Sequence, residues 1–188
     1  LLTIVPVRPP ETIGRPQARA AMLLAPLAVL PVALAATGIG WLAVWLGLPS
    51  ALAGVLVVAA LAVGTRAMHL DGLADTTDGL GSGKDADAAL EIMRRGDVGP
   101  MGVVALVLAL GAQALAAGAV LGRPFGWVSL VVLVCASRGA LVLGCMRGVT
   151  AARPDGLGAL VADSVPLPTA ATGWLVLAAA TIWAGMLS

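Results

Sequence analysis

From Met101 to Leu121 the chain runs without one Asp, Glu, Lys or Arg, and a stretch of that kind dictates its own solvent. A helix needs roughly 20 apolar residues to cross the hydrocarbon of a bilayer. Apart from closed barrels, only helices keep their backbone polar groups paired there. Four further apolar runs cover approximately 20–48, 51–68, 125–146 and 172–187. The first contains Pro26, Pro31, Gly38 and Gly40 and is too long for one straight span, so a kink or an extension past the interface is expected. The expected fold is an all-α polytopic membrane helix bundle with about five transmembrane helices, one membrane-embedded catalytic domain over 1–188. Gly and Ala dominate the runs, allowing helices to approach closely in lipid.

Composition agrees. Apolar residues make up 60% of the chain and charged residues 11%, against about 45–50% and about 25% in globular domains. The formal net charge of +1 excludes a nucleic-acid binder that works through a basic face. Cys135 and Cys145 lie in one apolar stretch and read as packed thiols, with no Cys/His cluster for zinc. Trp41, Trp45, Trp127, Trp174 and Trp183 supply a thin aromatic belt. The opening segment Leu1 to Arg19 is rich in Pro and Arg and does not read as a signal peptide. A start at Leu1-Leu2 without Met reads as a fragment.

Charge fixes an orientation. With five spans, the N-terminal arm, segment 69–100 and segment 147–170 share one side, which carries Arg8, Arg15, Arg19, Arg66, Lys84, Arg94, Arg95, Arg147 and Arg153. Arg123 lies opposite and Arg138 lies within the fourth span. The positive-inside rule makes the crowded side cytoplasmic. All 10 acidic residues share it, so the chemistry belongs on that face.

The acids are also patterned. Residues 69–79 read His-Leu-Asp-Gly-Leu-Ala-Asp-Thr-Thr-Asp-Gly. Asp71, Asp75 and Asp78 stand at i, i+4 and i+7, within ~60° of one another around a helix. Like charges so placed repel, and a hard divalent cation with oxygen ligands, Mg²⁺, relieves the repulsion. A solvated acidic face is the plainer reading. Position directly after an apolar run, where carboxylates are costly, favours metal. Gly72 and Gly79 follow the first and last Asp and permit a bulky ligand to approach. His69 is the chain's only His; it serves as a general base, a phosphate contact or an interfacial residue.

Residues 82–96 predict a short amphipathic helix with Asp85 and Asp87 at its start, Arg94 and Arg95 at its end, and Gly96 as its stop. Arg94 and Arg95 suit either a phosphate clamp or dipole and headgroup contacts. Gly79 to Lys84 lacks P-loop spacing, since Asp78 and Asp85 occupy positions that pattern reserves for Gly and Ser or Thr. Arg138, inside an apolar span, needs an anionic partner: the Asp cluster, a substrate or a structural ion pair. Asp155, Gly156, Gly158 and Asp163 mark a flexible connecting loop within 150–168. This constellation fits a Mg²⁺-assisted phosphoryl or pyrophosphate reaction at a membrane surface.

The motif His69 to Gly79, then Leu90-Glu-Ile-Met-Arg94, then Val98-Gly99 before an apolar span, resembles the cobalamin synthase family (adenosylcobinamide-GDP ribazoletransferase). Leu2-Thr3 with Pro6-Val7, Ser137-Arg138-Gly139 and Asp155-Gly-Leu-Gly158 fall in the family's order. The resemblance implies a cobalamin-synthesis transferase of the bacterial cytoplasmic membrane. It joins adenosylcobinamide-GDP to α-ribazole or its 5′-phosphate, forms adenosylcobalamin or its phosphate, and releases GMP. It also implies metal at Asp71, Asp75 and Asp78, catalytic roles for His69, Arg94 and Arg138, and substrate contacts from Gly72, Gly79, Glu91 and Arg95. The lipid bilayer is a partner, nucleic acid is not, and an oligomer is left open.

Two departures stand out. Many members read Met-Arg-Asp-Ser where this chain has Met93-Arg94-Arg95-Gly96-Asp97. The family also continues to a Gly-Gly-x-Thr-Gly-Asp segment that is absent before Ser188, so the family's C-terminal part is expected to be missing. Another Mg-dependent phosphotransferase or prenyltransferase is the nearest alternative. A cation-coupled transporter would instead place its carboxylates at the bilayer midplane, whereas these gather at span ends.

Overall fold

The computed structural model describes residues 14–154 and 156–187. Among them there is no β-strand, only an isolated parallel bridge between Met146 and Val165. The helices are α1 (Arg15–Leu23), α2 (Ala25–Ala28), α3 (Leu30–Trp45), α4 (Ser50–Gly64), α5 (Met68–Gly81), α6 (Ala86–Ile92), α7 (Pro100–Leu121), α8 (Gly126–Ser137), α9 (Ala140–Leu143), α10 (Leu157–Val161) and α11 (Leu167–Leu187). The all-α membrane fold read from the sequence is the fold observed.

Three segments are long and apolar enough to cross a membrane: Pro100–Leu121, Gly126–Leu143 and Leu167–Met186. The two N-terminal apolar runs fall short of that length, and the reasons are local. The first is interrupted at Leu24 and Val29, directly before Ala25-Pro26 and Leu30-Pro31, where each proline starts a new helix at its N-terminal turn. Its longest piece, α3, has 16 residues, about 24 Å. The second run ends at Gly64, because Arg66 and Ala67 adopt left-handed backbone with φ of 55°. There the chain turns by 93° between α4 and α5.

The bundle centre is built from small side chains. Ala36, Ala43, Ala53, Val57, Ala117, Leu121 and Leu130 form one buried cluster contributed by α3, α4, α7 and α8. Helices α4 and α7 run antiparallel with their backbones nearly touching: a Cβ on Gly54 would strike the backbone of Ala114, and one on Gly118 that of Ser50. Such contact supplies the dispersion that holds helices together when lipid offers no hydrophobic drive.

A second cluster gathers Val142, Cys145, Val165 and Ala170, with Met22 and Leu23 packed against it. Cys145 is buried and Cys135 half-buried, both free thiols, as the sequence predicts. The connecting segment before α11 is not the flexible linker expected of it. The Ser164 and Val165 N–H groups both donate to the Cys145 carbonyl (3.0 and 2.9 Å), and Arg147 N–H donates to the Val165 carbonyl at 2.9 Å. Gly148 N–H donates to Asp163 Oδ1 at 2.8 Å. The segment folds back on itself and carries α10.

Candidate active site

The acidic motif forms a helix as its spacing predicts, but the 93° turn lays that helix across the first turn of α7 rather than continuing α4. Gly81 reaches Met101, and Ala74 and Asp78 reach Gly102. Helix α5 therefore lies against the start of α7 and is not itself one of the three long spanning helices, though with α4 it passes as a broken span or a re-entrant loop.

Burial separates the three aspartates. Asp71 is exposed, Asp75 half-buried and Asp78 buried. The Gly99 N–H donates to Asp78 Oδ2 at 2.7 Å, and the Gly102 N–H donates to Oδ1 at 2.8 Å. Gly99 is the N-cap of α7 and has no side chain to bond the exposed donors of the first turn. Asp78 performs that cap from another helix and places its charge at the positive end of the α7 dipole. A Cβ at Gly99 or Gly102 would collide with the same carboxylate.

The predicted set Asp71, Asp75 and Asp78 therefore does not close as three equivalent ligands. Among the described residues, no three His, Cys, Asp or Glu side chains converge to hold a metal ion. The physical reason is that Asp78 is spent on α7.

What the structure does assemble is a wider field. Asp75 is held above the usual carboxylate range, first by partial burial and then by the negative charges of Asp71, Asp78 and Asp97. Asp97, in the α6–α7 connection, is the residue sequence reasoning overlooked. Its signal was its place two residues before Gly99-Pro100, where α7 begins. Gly102, three residues after the cap, was missed as well.

Opposite charge acts at the start of the same helix. His69, in the first turn of α5, is half-buried, and burial and then the charge of Arg138 push its imidazole below the ordinary value. Arg138 caps the C-terminal end of α8, where a cation is favoured. Its guanidinium makes no hydrogen bond or ion pair among the described residues. A structural ion pair, one of the readings open from sequence, is thus not formed among the described residues.

Other expected site residues lie elsewhere. Gly79 is buried beneath α6, where a Cβ would strike Met93 and the Ala89 carbonyl, so it serves helix packing and the expected ligand approach gives way to it. Gly72 is exposed with open space above it. Asp85 caps α6 by accepting the Ala88 N–H at 2.9 Å, as its position suggested. The helix ends at Ile92, earlier than expected, leaving Arg94 and Arg95 in an exposed turn beyond it. Gly96 takes left-handed backbone (φ 69°) later in that turn. Glu91 is exposed on α6. Leu2-Thr3, Pro6-Val7 and Asp155 lie outside the described residues.

Comparison with known proteins gives one consistent result. A family profile described as cobalamin-5-phosphate synthase matches residues 1–188. A protein of a Nocardioides species named adenosylcobinamide-GDP ribazoletransferase is 48% identical over 178 residues, covering 95% of this chain and 76% of its own length. A protein of the same name from Frankia casuarinae is 38% identical over 195 residues, covering 100% of this chain and 70% of its own length. No solved structure matches the chain.

Proposed function

Since the chain belongs to the cobalamin-5-phosphate synthase family, we propose that it catalyses the reaction for which its relatives are named. The cobinamide phosphate of adenosylcobinamide-GDP passes to α-ribazole or its 5′-phosphate, yielding adenosylcobalamin or its 5′-phosphate and GMP. What supports this reading is an acidic helix face with Asp71 and Asp75 on α5, set against the start of α7, on the same helix as His69, whose imidazole feels the charge of Arg138. Diphosphate chemistry needs both parts.

A free ribose hydroxyl of the acceptor, at a position other than 5′, bonds through its oxygen to the phosphorus that carries cobinamide, so a 5′-phosphate, where present, passes unchanged into the product. The bond from that same phosphorus to the bridging oxygen breaks, and GMP leaves carrying that oxygen on its own phosphate. His69, biased toward its neutral form, is free to receive the hydroxyl proton. Arg138 has its donors free to face phosphoryl oxygens as charge develops there. Arg94 and Arg95, in the exposed turn, would contact the leaving nucleotide's phosphate.

Mg²⁺ fits the donor set. The nearby ligands are carboxylate oxygens that repel one another, the donors Mg²⁺ prefers alongside water and substrate phosphates, although no three of them converge among the described residues. Asp71 and Asp75 would hold it, and bound there it would neutralise the diphosphate. By the positive-inside rule the site faces the cytoplasm, in a bacterial cytoplasmic membrane. The transporter and prenyltransferase alternatives find no support in the relatives' names.

The test uses the whole protein in membranes with adenosylcobinamide-GDP, α-ribazole and Mg²⁺. GMP and cobalamin should appear together, and Asp75→Asn should abolish both. Intact turnover in that variant would remove the metal assignment. Failure of the wild type to form cobalamin, with turnover of CDP-alcohols instead, would remove the substrate assignment.

A further inference from the structure

A concavity of about 420 Å³ opens between the start of α1 and the folded-back segment before α11. Arg15, Thr150, Arg153 and Asp163 supply its polar lining. Arg15 Nη2 donates to the Ala162 carbonyl at 2.6 Å, and Arg153 Nη2 donates to the Leu90 carbonyl at 3.3 Å. Each guanidinium is thus fixed by one backbone acceptor and keeps most of its five donors. Neither is paired with a carboxylate among the described residues. The one described acid in the lining, Asp163, has Oδ1 engaged by the Gly148 N–H. Among the described residues the lining sets two guanidiniums, each held by a backbone carbonyl, against one carboxylate, a receptor for a phosphate ester whose oxygens match the planar fork of Arg.

The cavity is also tied to the acidic site. Leu90, which anchors Arg153, belongs to α6, and α6 packs on α5 through Met93 and Gly79. We propose that Arg15 and Arg153 bind a phosphate ester in this cavity, and that in catalysis it is the 5′-phosphate of the ribazole acceptor. The inference rests on the function proposed above. It addresses a difference between two names: the family is described by a 5-phosphate product, the relatives by ribazole transfer. A site for that phosphate would set the preference between the two acceptors. A phosphate ester in a membrane protein has a second source, the headgroup of an anionic lipid, and the experiment separates the two.

The measurement is the KM of the whole protein for α-ribazole 5′-phosphate and for α-ribazole, in nanodiscs of zwitterionic lipid and again with phosphatidylglycerol. Arg15→Gln and Arg153→Gln should each raise the KM for the phosphorylated acceptor about tenfold, the scale of one lost charge-assisted hydrogen bond. The KM for free α-ribazole should stay within about twofold. Arg15→Lys and Arg153→Lys, which keep the charge, should recover part of the loss and show that the fold is intact. If phosphatidylglycerol stimulates the wild type but not the Gln variants, with no acceptor discrimination, the phosphate ester is a lipid headgroup and the cavity assignment stands with that source. Equal KM changes for both acceptors and no lipid effect would overturn the cavity as a phosphate site. Wild type that turns over neither acceptor would instead overturn the functional reading on which this rests.

Discussion

The carboxylate of Asp78 accepts the N–H of Gly102, 24 residues ahead, at 2.8 Å and thereby caps a helix to which it does not belong. With the second bond from Gly99, it welds α5 to the start of α7 and fixes the level at which the acidic face meets the membrane. Asp78→Ala should orphan two donors at the α7 N-terminus and destabilise the protein by about 2–3 kcal/mol. The thermal midpoint in detergent should fall by about 5–10 °C. Asp78→Asn, which keeps one acceptor oxygen, should fall less. A midpoint for Asp78→Ala equal to wild type would show the cap to be unimportant.

Asp75 should behave oppositely. Its carboxyl is raised above the usual range in the fold, so ionisation disfavours the native state. The penalty is absent below the ordinary carboxylate pKa, grows as pH rises through the raised value, and is complete above it. Asp75→Asn should therefore raise the thermal midpoint at neutral pH by roughly 1–3 °C while abolishing turnover. That gain should vanish in acid, and in the wild type Mg²⁺ should narrow it. A variant less stable than wild type at neutral pH would contradict the repulsion.

Because His69 is the only His in the chain, its titration can be followed as a single imidazole signal by NMR of histidine-labelled protein. Removing the neighbouring cation in Arg138→Gln should move the midpoint upward. It should stay below the ordinary value, since burial, the larger cause, remains. An unmoved midpoint would mean that the two charges do not communicate.

The α4–α7 seam predicts a contrast between glycines. Gly54→Val would force a side chain into the Ala114 backbone and should cost about 3 kcal/mol or more, the upper range of overpacking. Gly111→Ala, on the same α7 but with open space around it, should leave the thermal midpoint within about 1 °C. Equal effects at the two positions would refute the close approach.

Much of this was legible in the chain because it depends on local pattern. Absence of charge over Met101–Leu121 requires a helix in lipid, since the bilayer offers no other partner to the backbone. The spacing of Asp71, Asp75 and Asp78 puts them on one helical face whatever surrounds them. Family membership, too, was readable from the motif at 69–79. Tertiary structure decided how those carboxylates are used. Only the left-handed turn at Arg66 and Ala67 swings α5 across α7, assigns Asp78 to the cap and lets the charge of Asp97 act on Asp75. The Arg15–Ala162 bond at the rim of the open concavity joins residues 147 apart. Periodicity reports which solvent a side chain prefers; which distant group it meets is set by packing among helices, and no local signal encodes that.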